Sequence, residues 1–537
     1  MRLRKILILI LLTHVSCAVQ PLIERKAAET IRIGIAEGLR ETEFQTGNKY
    51  DVYAYDGTPL MSGRSGDRCK VQVISGTPAT QIYRLVTKTT PDAREAAQFA
   101  DELARKGYAA VIKKVRQRMF YNGDVVDHDM NYVCIDKEFT SETTAEEYRR
   151  TISSLYTKIT PFMLDYPKGI VRLTNARNGD KVESNNYLRI VGDAIIIQSK
   201  SGQGFHFEQD EKRTYRSAIN YVIDKSGLLT IVNDISIDDY LSGVVASEMN
   251  PKFPFQALKA QAVTARSYLL SHLGIQHPMD PYDVCDDTHC QVFSGSSRAT
   301  ADIANAVRET DGEVLMVDDK ICETFYCGVC GGHTEHNENV WEGTPRPYLR
   351  GVFDLPSSSV NVPKDYLLDE NNVKTWVKNE PRVYCNLNLI ECPSYLEYTK
   401  KYFRWKVEYS QSEIRSLLEK KTGKSLGQIT DIVPLERGIS GRLKKIQING
   451  TKQTFLINKE LEIRRVFSES YLYSSCFTVE KQGLNDGIPQ KFVIIGGGWG
   501  HGVGMCQTGA AVMALNGQNY RGILRHYYQG SDVKRIY

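Results

Sequence analysis

Several features that would place a chain quickly are missing here. Past the first dozen residues no stretch is apolar for the roughly 18 positions a helix needs to cross a bilayer, so the body of the chain carries no helical membrane span. Neither sign of charge dominates: 68 Lys and Arg stand against 64 Asp and Glu, a formal net charge of +4 over 537 residues. That field is too weak to recruit nucleic acid. Glycine and proline are dispersed, and with 41% hydrophobic and 25% charged residues the composition excludes collagen-like and largely disordered chains. The run Gly496–Gly504 lacks the Gly-Lys-Ser/Thr ending of a phosphate-binding loop and does not join a strand to a helix in a βαβ unit, which excludes a nucleotide loop.

What is present begins with an export signal. Arg2, Arg4 and Lys5 precede an apolar run over 6–12, with small residues following at Ser16 and Ala18. Residues 1–17 therefore read as a segment removed on export to the periplasm or cell envelope. Cys17 sits where a lipoprotein cysteine would, although His14 occupies the usual leucine position, so a membrane anchor is expected only if Cys17 is lipidated. Export permits disulfides. Of twelve cysteines, removal of Cys17 leaves an odd number, so one thiol stays free or some bind metal.

At about 150 residues per unit the length suggests three or four units, and the expected class is α+β. Residues 28–78, with alternating runs at 31–35 and 50–55, read as a small β-rich segment. Over 79–175 the pattern is strand 82–86, helix 92–106 stopped by Gly107, strand 109–115, strand 132–135 and helix 143–154. This order is similar to the small glycan-binding SPOR fold; an unrelated α+β unit is the alternative. Strand-like pieces at 187–191, 194–198, 218–224 and 228–232 follow, separated by turn residues.

The segment 236–272 divides into two helices at a turn over 250–254, with Ser236 or Asp238 placed to cap the first. Leu241, Val244 and Val245 define its buried face, and Glu248 falls on the same stripe. A carboxyl group there is costly to ionise, so its pKa should rise into the range of a general acid. The alternative is a helix-end Glu turned to water or paired with Lys. In the second helix Lys259 and Arg266 share a face and are candidates to hold a sugar, a lactyl carboxylate or Glu248 itself; a solvated basic stripe is the plainer reading. Asp239, near a helix start, is a cap or dipole partner before it is a second acid.

The run Asp239-Tyr-Leu-Ser-Gly-Val-Val-Ala-Ser-Glu-Met, then Ala257-Leu-Lys-Ala-Gln-Ala-Val-Thr-Ala-Arg-Ser-Tyr, resembles the signature of the SpoIID/LytB family. So does Gly498-Trp-Gly-His-Gly-Val-Gly-Met-Cys-Gln-Thr-Gly-Ala, with Tyr520-Arg-Gly-Ile-Leu-Arg-His-Tyr-Tyr after it. The resemblance covers roughly 185–537, with an insertion at about 354–476. One departure stands out: Cys327-Gly-Val-Cys330-Gly-Gly-His-Thr-Glu replaces the usual serine-rich stretch. The resemblance implies a β-rich catalytic domain whose helices form a substrate groove, preceded by small α+β units. It implies a peptidoglycan lytic transglycosylase or, in the LytB branch, a non-catalytic enhancer of a cell-wall amidase.

The expected reaction cleaves the bond between N-acetylmuramic acid and N-acetylglucosamine to leave a 1,6-anhydro end. One carboxyl group, Glu248, suffices, because the attacking C6 hydroxyl belongs to the same sugar. Trp499 would stack on a sugar, and His501 and Gln507 would hydrogen-bond to it, while the glycines around them let backbone approach a sugar closely. His501 as a packed structural histidine is the alternative. No cofactor is required, but some relatives bind zinc through a Cys/His cluster at the position of His277, Cys285, His289 and Cys290. A Cys285–Cys290 disulfide competes with that reading. Cys327 and Cys330 with His333 and His336 are a second metal candidate, and Cys385 with Cys392 reads as a disulfide pair.

Overall fold

The computed structural model describes residues 30–537 apart from 122–123, 153–154, 156, 202–208, 342 and 356–361. The expected export signal and Cys17 lie outside the described residues. No described helix is long and apolar enough to cross a membrane.

Two sheets pack face to face at the base of the molecule. The first runs Val284–Cys285, Ile31–Leu39, Leu229–Ile235, Ala218–Ile223, Tyr187–Val191, Tyr50–Tyr53, Pro59–Gly63. The second runs Lys181–Asn185, Lys168–Asn175, Arg68–Thr77, Glu41–Thr46, Ile195–Ser201, Gln209–Tyr215. Alternation drives the packing: Ile31, Ile33, Val52, Leu188 and Ile190 from one sheet share a core with Phe44, Val71, Val171 and Ile195 from the other. The expected separate unit at 28–78 does not form. Ile31–Leu39 pairs with Leu229–Ile235 and Glu41–Thr46 pairs with Ile195–Ser201, because strands this short bury an apolar face only beside partners far along the chain.

Residues 80–165 form a four-stranded antiparallel sheet ordered Ala110–Tyr121, Asp124–Ile135, Thr80–Thr90, Lys158–Asp165. With helices Ala93–Arg105 and Glu142–Thr151 the chain order is βαββαβ, a ferredoxin-like arrangement. Asp92 caps the first helix by accepting from the Arg94 and Glu95 amides.

The two motif helices, Ile237–Glu248 and Phe255–His272, are buried on nearly every side. Ser236 caps the first, its Oγ accepting from the Asp239 amide. That helix ends at Glu248 because Pro251 forces Asn250 out of helical geometry, and Met249 is already extended. Gly243 lies under Phe293, whose ring stands 2.4 Å from where a β-carbon would sit, so the 293–295 stretch rests directly on the helix backbone.

The insertion has its own core around Trp405, Ile414, Leu418, Ile446, Phe467, Phe477 and Ile494. It reaches past the expected boundary at 476: Ile488–Gly496 lies between Trp405–Ser410 and Phe477–Asn485 in one sheet. A second sheet joins Ile429–Arg437, Leu443–Gly450 and Thr454–Asn458.

Candidate active site

Glu248 sits at the last turn of its helix, below the buried stripe of Leu241, Val244 and Val245. Glu248 is half-buried as a residue, and the surrounding protein strips most of the water from its carboxyl group; this desolvation pushes its pKa up to about 7. The negative end of the helix acts in the same direction. Two donors oppose the shift: the Val292 amide, 3.1 Å from Oε1, and the Tyr326 hydroxyl. Tyr326 is fixed in turn, since its hydroxyl accepts from Gln291 Nε2 at 3.2 Å while Gln291 Oε1 accepts from the Tyr240 hydroxyl at 3.2 Å. The result is a carboxyl group that keeps a substantial protonated fraction near neutral pH, with hydrogen bonds ready for its anion.

The distant motifs meet here. Tyr326–Cys327 pairs in parallel with Met505–Cys506, and Val329 bridges Trp499. Gln507 is buried, and its Nε2 donates to the Glu248 carbonyl and to Gln261 Oε1, each at 3.3 Å. It therefore positions the end of the Glu248 helix, which corrects the expectation that it would reach a sugar. The glycines are corrected too. Gly498, Gly500, Gly502 and Gly504 all have positive φ, and a β-carbon on Gly502 would meet the buried Arg442 guanidinium at 2.4 Å. They serve close internal packing rather than the approach of a sugar.

Trp341, Trp499 and Phe325, the residue directly before Tyr326, are half-buried aromatic residues. Phe325 stacks on Trp341 with ring centres 4.4 Å apart, Trp341 meets His501 at 4.8 Å, and Trp499 stacks on Tyr402 at 4.3 Å. Burial, reinforced by Arg442 and Arg464, holds the His501 imidazole down to about 3, so it is neutral at any ordinary pH. Its Nδ1 accepts from the Val503 amide at 3.0 Å, leaving the proton on Nε2.

The two cations do not face Glu248. Arg266 is fully buried and donates to the backbone carbonyls of Thr310, Val307 and Glu313 at 2.7, 3.2 and 3.3 Å, which close the end of helix Ala301–Glu309. It is structural, and the expected substrate role is corrected. Lys259 pairs with Glu309 at 3.3 Å and lies over the Tyr520 ring at 4.5 Å. Asp239 accepts from the Ser236 hydroxyl at 2.9 Å, as a cap partner.

His277, Cys285, His289 and Cys290 come together with all ligand atoms within 4.8 Å. The nitrogen-to-sulfur separations are 3.4 Å for His277–Cys290, 3.6 Å for His289–Cys290 and 3.8 Å for His289–Cys285. A tetrahedral zinc with bonds of about 2.0 and 2.3 Å has such edges, roughly 3.5 Å. His277 Nδ1 meets Asp280 at 3.0 Å, which turns Nε2 toward the cluster in the manner of a carboxylate supporting a metal-bound histidine. The donors therefore fit a closed zinc site. The other cysteine expectations fail: Cys385 and Cys392 are both free thiols, and His333 and His336 turn to the Thr334 carbonyl and the Gly351 amide instead of Cys327 and Cys330.

Comparison with known proteins bears on this geometry. Residues 225–317, the stretch holding Glu248 and the Cys/His cluster, match the family described as Stage II sporulation protein. The chain belongs to the SpoIID/LytB family. Residues 335–504 match a separate family described as a domain of unknown function, DUF8618. Among SpoIID/LytB relatives, Stage II sporulation protein D of Bacillus amyloliquefaciens is 29% identical over 316 residues, 56% of this chain and 75% of that protein. The Amidase enhancer of Bacillus subtilis is 26% identical over 296 residues, 55% of this chain but only 40% of its own length. An uncharacterized protein of Brachyspira hyodysenteriae is 30% identical over 363 residues, 68% of this chain and 82% of that one.

Sequence reasoning located Glu248 but missed Tyr240, Gln291, Val292 and Tyr326, which set its hydrogen bonds. Tyr240 stands inside the first motif and Tyr326 directly precedes Cys327, so both were visible; nothing local marks Gln291 or Val292.

Proposed function

We propose that this protein is a lytic transglycosylase acting on the glycan strands of peptidoglycan in the cell envelope. The observation that carries the reading is the desolvated carboxyl group of Glu248, a half-buried residue at the end of its helix, whose pKa burial pushes up to about 7. Protonated Glu248 gives its proton to the glycosidic oxygen between N-acetylmuramic acid and N-acetylglucosamine as that bond to C1 breaks. The C6 hydroxyl of the same muramic acid then bonds to C1 and its proton passes to the Glu248 carboxylate, which regenerates the acid. No water is consumed. The Val292 amide and the Tyr326 hydroxyl bind the carboxylate more strongly than the acid, so they stabilise the charge that forms during the reaction. Phe325, Trp341 and Trp499 offer ring faces to sugars.

We propose zinc for His277, Cys285, His289 and Cys290. With four protein ligands it is structural, holding the loop whose Val292 amide reaches Glu248. Attachment to the membrane would follow only from lipidation at Cys17.

The test is digestion of purified peptidoglycan with product masses recorded. Wild type should release ends lighter by one water than hydrolysis products, and Glu248→Gln should release none while keeping the fold. Active Glu248→Gln protein would sink the reading. Similarity to the Bacillus subtilis Amidase enhancer favours a second reading, a non-catalytic partner that raises the activity of a cell-wall amidase. On that reading wild type releases no anhydro ends, and Glu248→Gln stimulates an added amidase as well as wild type does.

A further inference from the structure

Three thiols and a carboxylate from four separate stretches of chain converge in the interior. Cys330, Asp354, Cys385 and Cys506 are at most 2% exposed, and their ligand-type atoms all lie within 4.8 Å of one another. Cys330 and Cys385 sulfurs stand 3.6 Å apart. A disulfide bond needs about 2.05 Å, whereas the sulfur-to-sulfur edge of a zinc tetrahedron is about 3.8 Å.

The surroundings suit anionic sulfur. Cys506 Sγ accepts from the Cys330 amide at 3.2 Å and from the Gly509 amide at 3.4 Å, the latter because Cys506 caps helix Gln507–Leu515 and lies at its positive end. Cys330 Sγ accepts from the Gly332 amide at 3.4 Å. A neutral thiol is a poor acceptor, and amides aimed at sulfur are the usual outer support of metal-bound thiolates. Asp354 is equally well fixed: Oδ2 accepts from the Cys385 amide at 2.9 Å and Oδ1 from the Tyr527 hydroxyl at 2.6 Å, with lone pairs left on both oxygens.

We propose that Cys330, Cys385, Cys506 and Asp354 form a second, closed metal site for a thiophilic divalent cation, zinc in the first instance, separate from the His277 cluster. The ion would join parts that sequence keeps far apart. Cys506 belongs to the strand pairing beside Glu248 and Cys330 follows that pairing's Cys327 by three residues, while Asp354 and Cys385 belong to the stretch matching the domain of unknown function. It would clamp that domain onto the backbone leading into Gln507, the residue that holds the end of the Glu248 helix. Cys327, paired in register with Cys506, is left as a neighbouring thiol.

The experiment measures zinc in the purified full chain, expressed with zinc and dialysed, in a background carrying His277→Ala, Cys285→Ser and Cys290→Ser. About one zinc per chain should remain, with three sulfurs and one oxygen around it by X-ray absorption. Adding Cys385→Ser should reduce it at least tenfold, whereas adding Cys327→Ser should leave it in place. If the background variant does not fold, wild type is measured directly. It should hold about two zinc ions, with an averaged shell containing more sulfur than nitrogen. The proposal is overturned by a background chain without zinc, by wild type holding one zinc with two sulfurs and two nitrogens, or by alkylation showing Cys330 and Cys385 joined as a disulfide. Loss of zinc in Cys327→Ser with retention in Asp354→Asn would likewise overturn it.

Discussion

Replacing Glu248 with Gln should stabilise its helix, and increasingly so as pH rises. In the unfolded chain the Glu248 carboxyl group has its ordinary value of 4.5, and in the folded protein about 7. Between those values the native state keeps a proton that the unfolded state has released, so wild-type stability falls with rising pH through this window. Gln carries no proton to lose. The full penalty is about 3 kcal/mol, set by the gap between 4.5 and about 7, and most of it develops between pH 5 and 8. Other titrating groups contribute equally to both proteins and cancel in the difference. Hydrogen exchange of the amides in Ile237–Glu248, compared for the two proteins at each pH, reads this as a gap in opening free energy. A gap that stays flat from pH 5 to 8 would show that the carboxyl group titrates like one in water, and general-acid chemistry at Glu248 would lose its basis.

Four other outcomes follow from the same geometry. The kcat/KM for release of anhydro ends should fall about tenfold per pH unit above about 7 as Glu248 loses its proton, and His501, held to about 3, should add no acidic limb near pH 6. Arg266→Ala should cost about 3–5 kcal/mol in urea unfolding because buried carbonyls lose their charged donor. Lys259→Ala should cost under about 1 kcal/mol and leave KM for glycan unchanged, its Glu309 partner being half exposed. Gly243→Ala should cost about 1–3 kcal/mol, since the new carbon would lie 2.4 Å from the Phe293 ring; it should also lower kcat by displacing Val292, and a wild-type kcat would contradict that coupling.

Features that neighbouring residues settle among themselves were legible before folding. Helix Ala93–Arg105 starts at the Asp92 cap and stops before Gly107, and both signals lie within one turn of the ends they mark. Glu248 shares a face with Leu241, Val244 and Val245 at helical spacing, and that spacing alone puts the carboxyl group beside apolar surface. The tertiary structure decided where polar side chains find partners. Arg266 looked like a ligand-binding group because it shares a helix face with Lys259, and Gln507 because it lies in the C-terminal motif, but their partners, Thr310 and Glu248, lie far along the chain. The glycines of 498–504 answer to Arg442, and Cys385 stands beside Cys330 instead of Cys392. Hydrogen bonds and metal–ligand contacts act over about 3 Å of space whatever the separation in sequence. Only the folded chain could choose among partners that composition and spacing left equal.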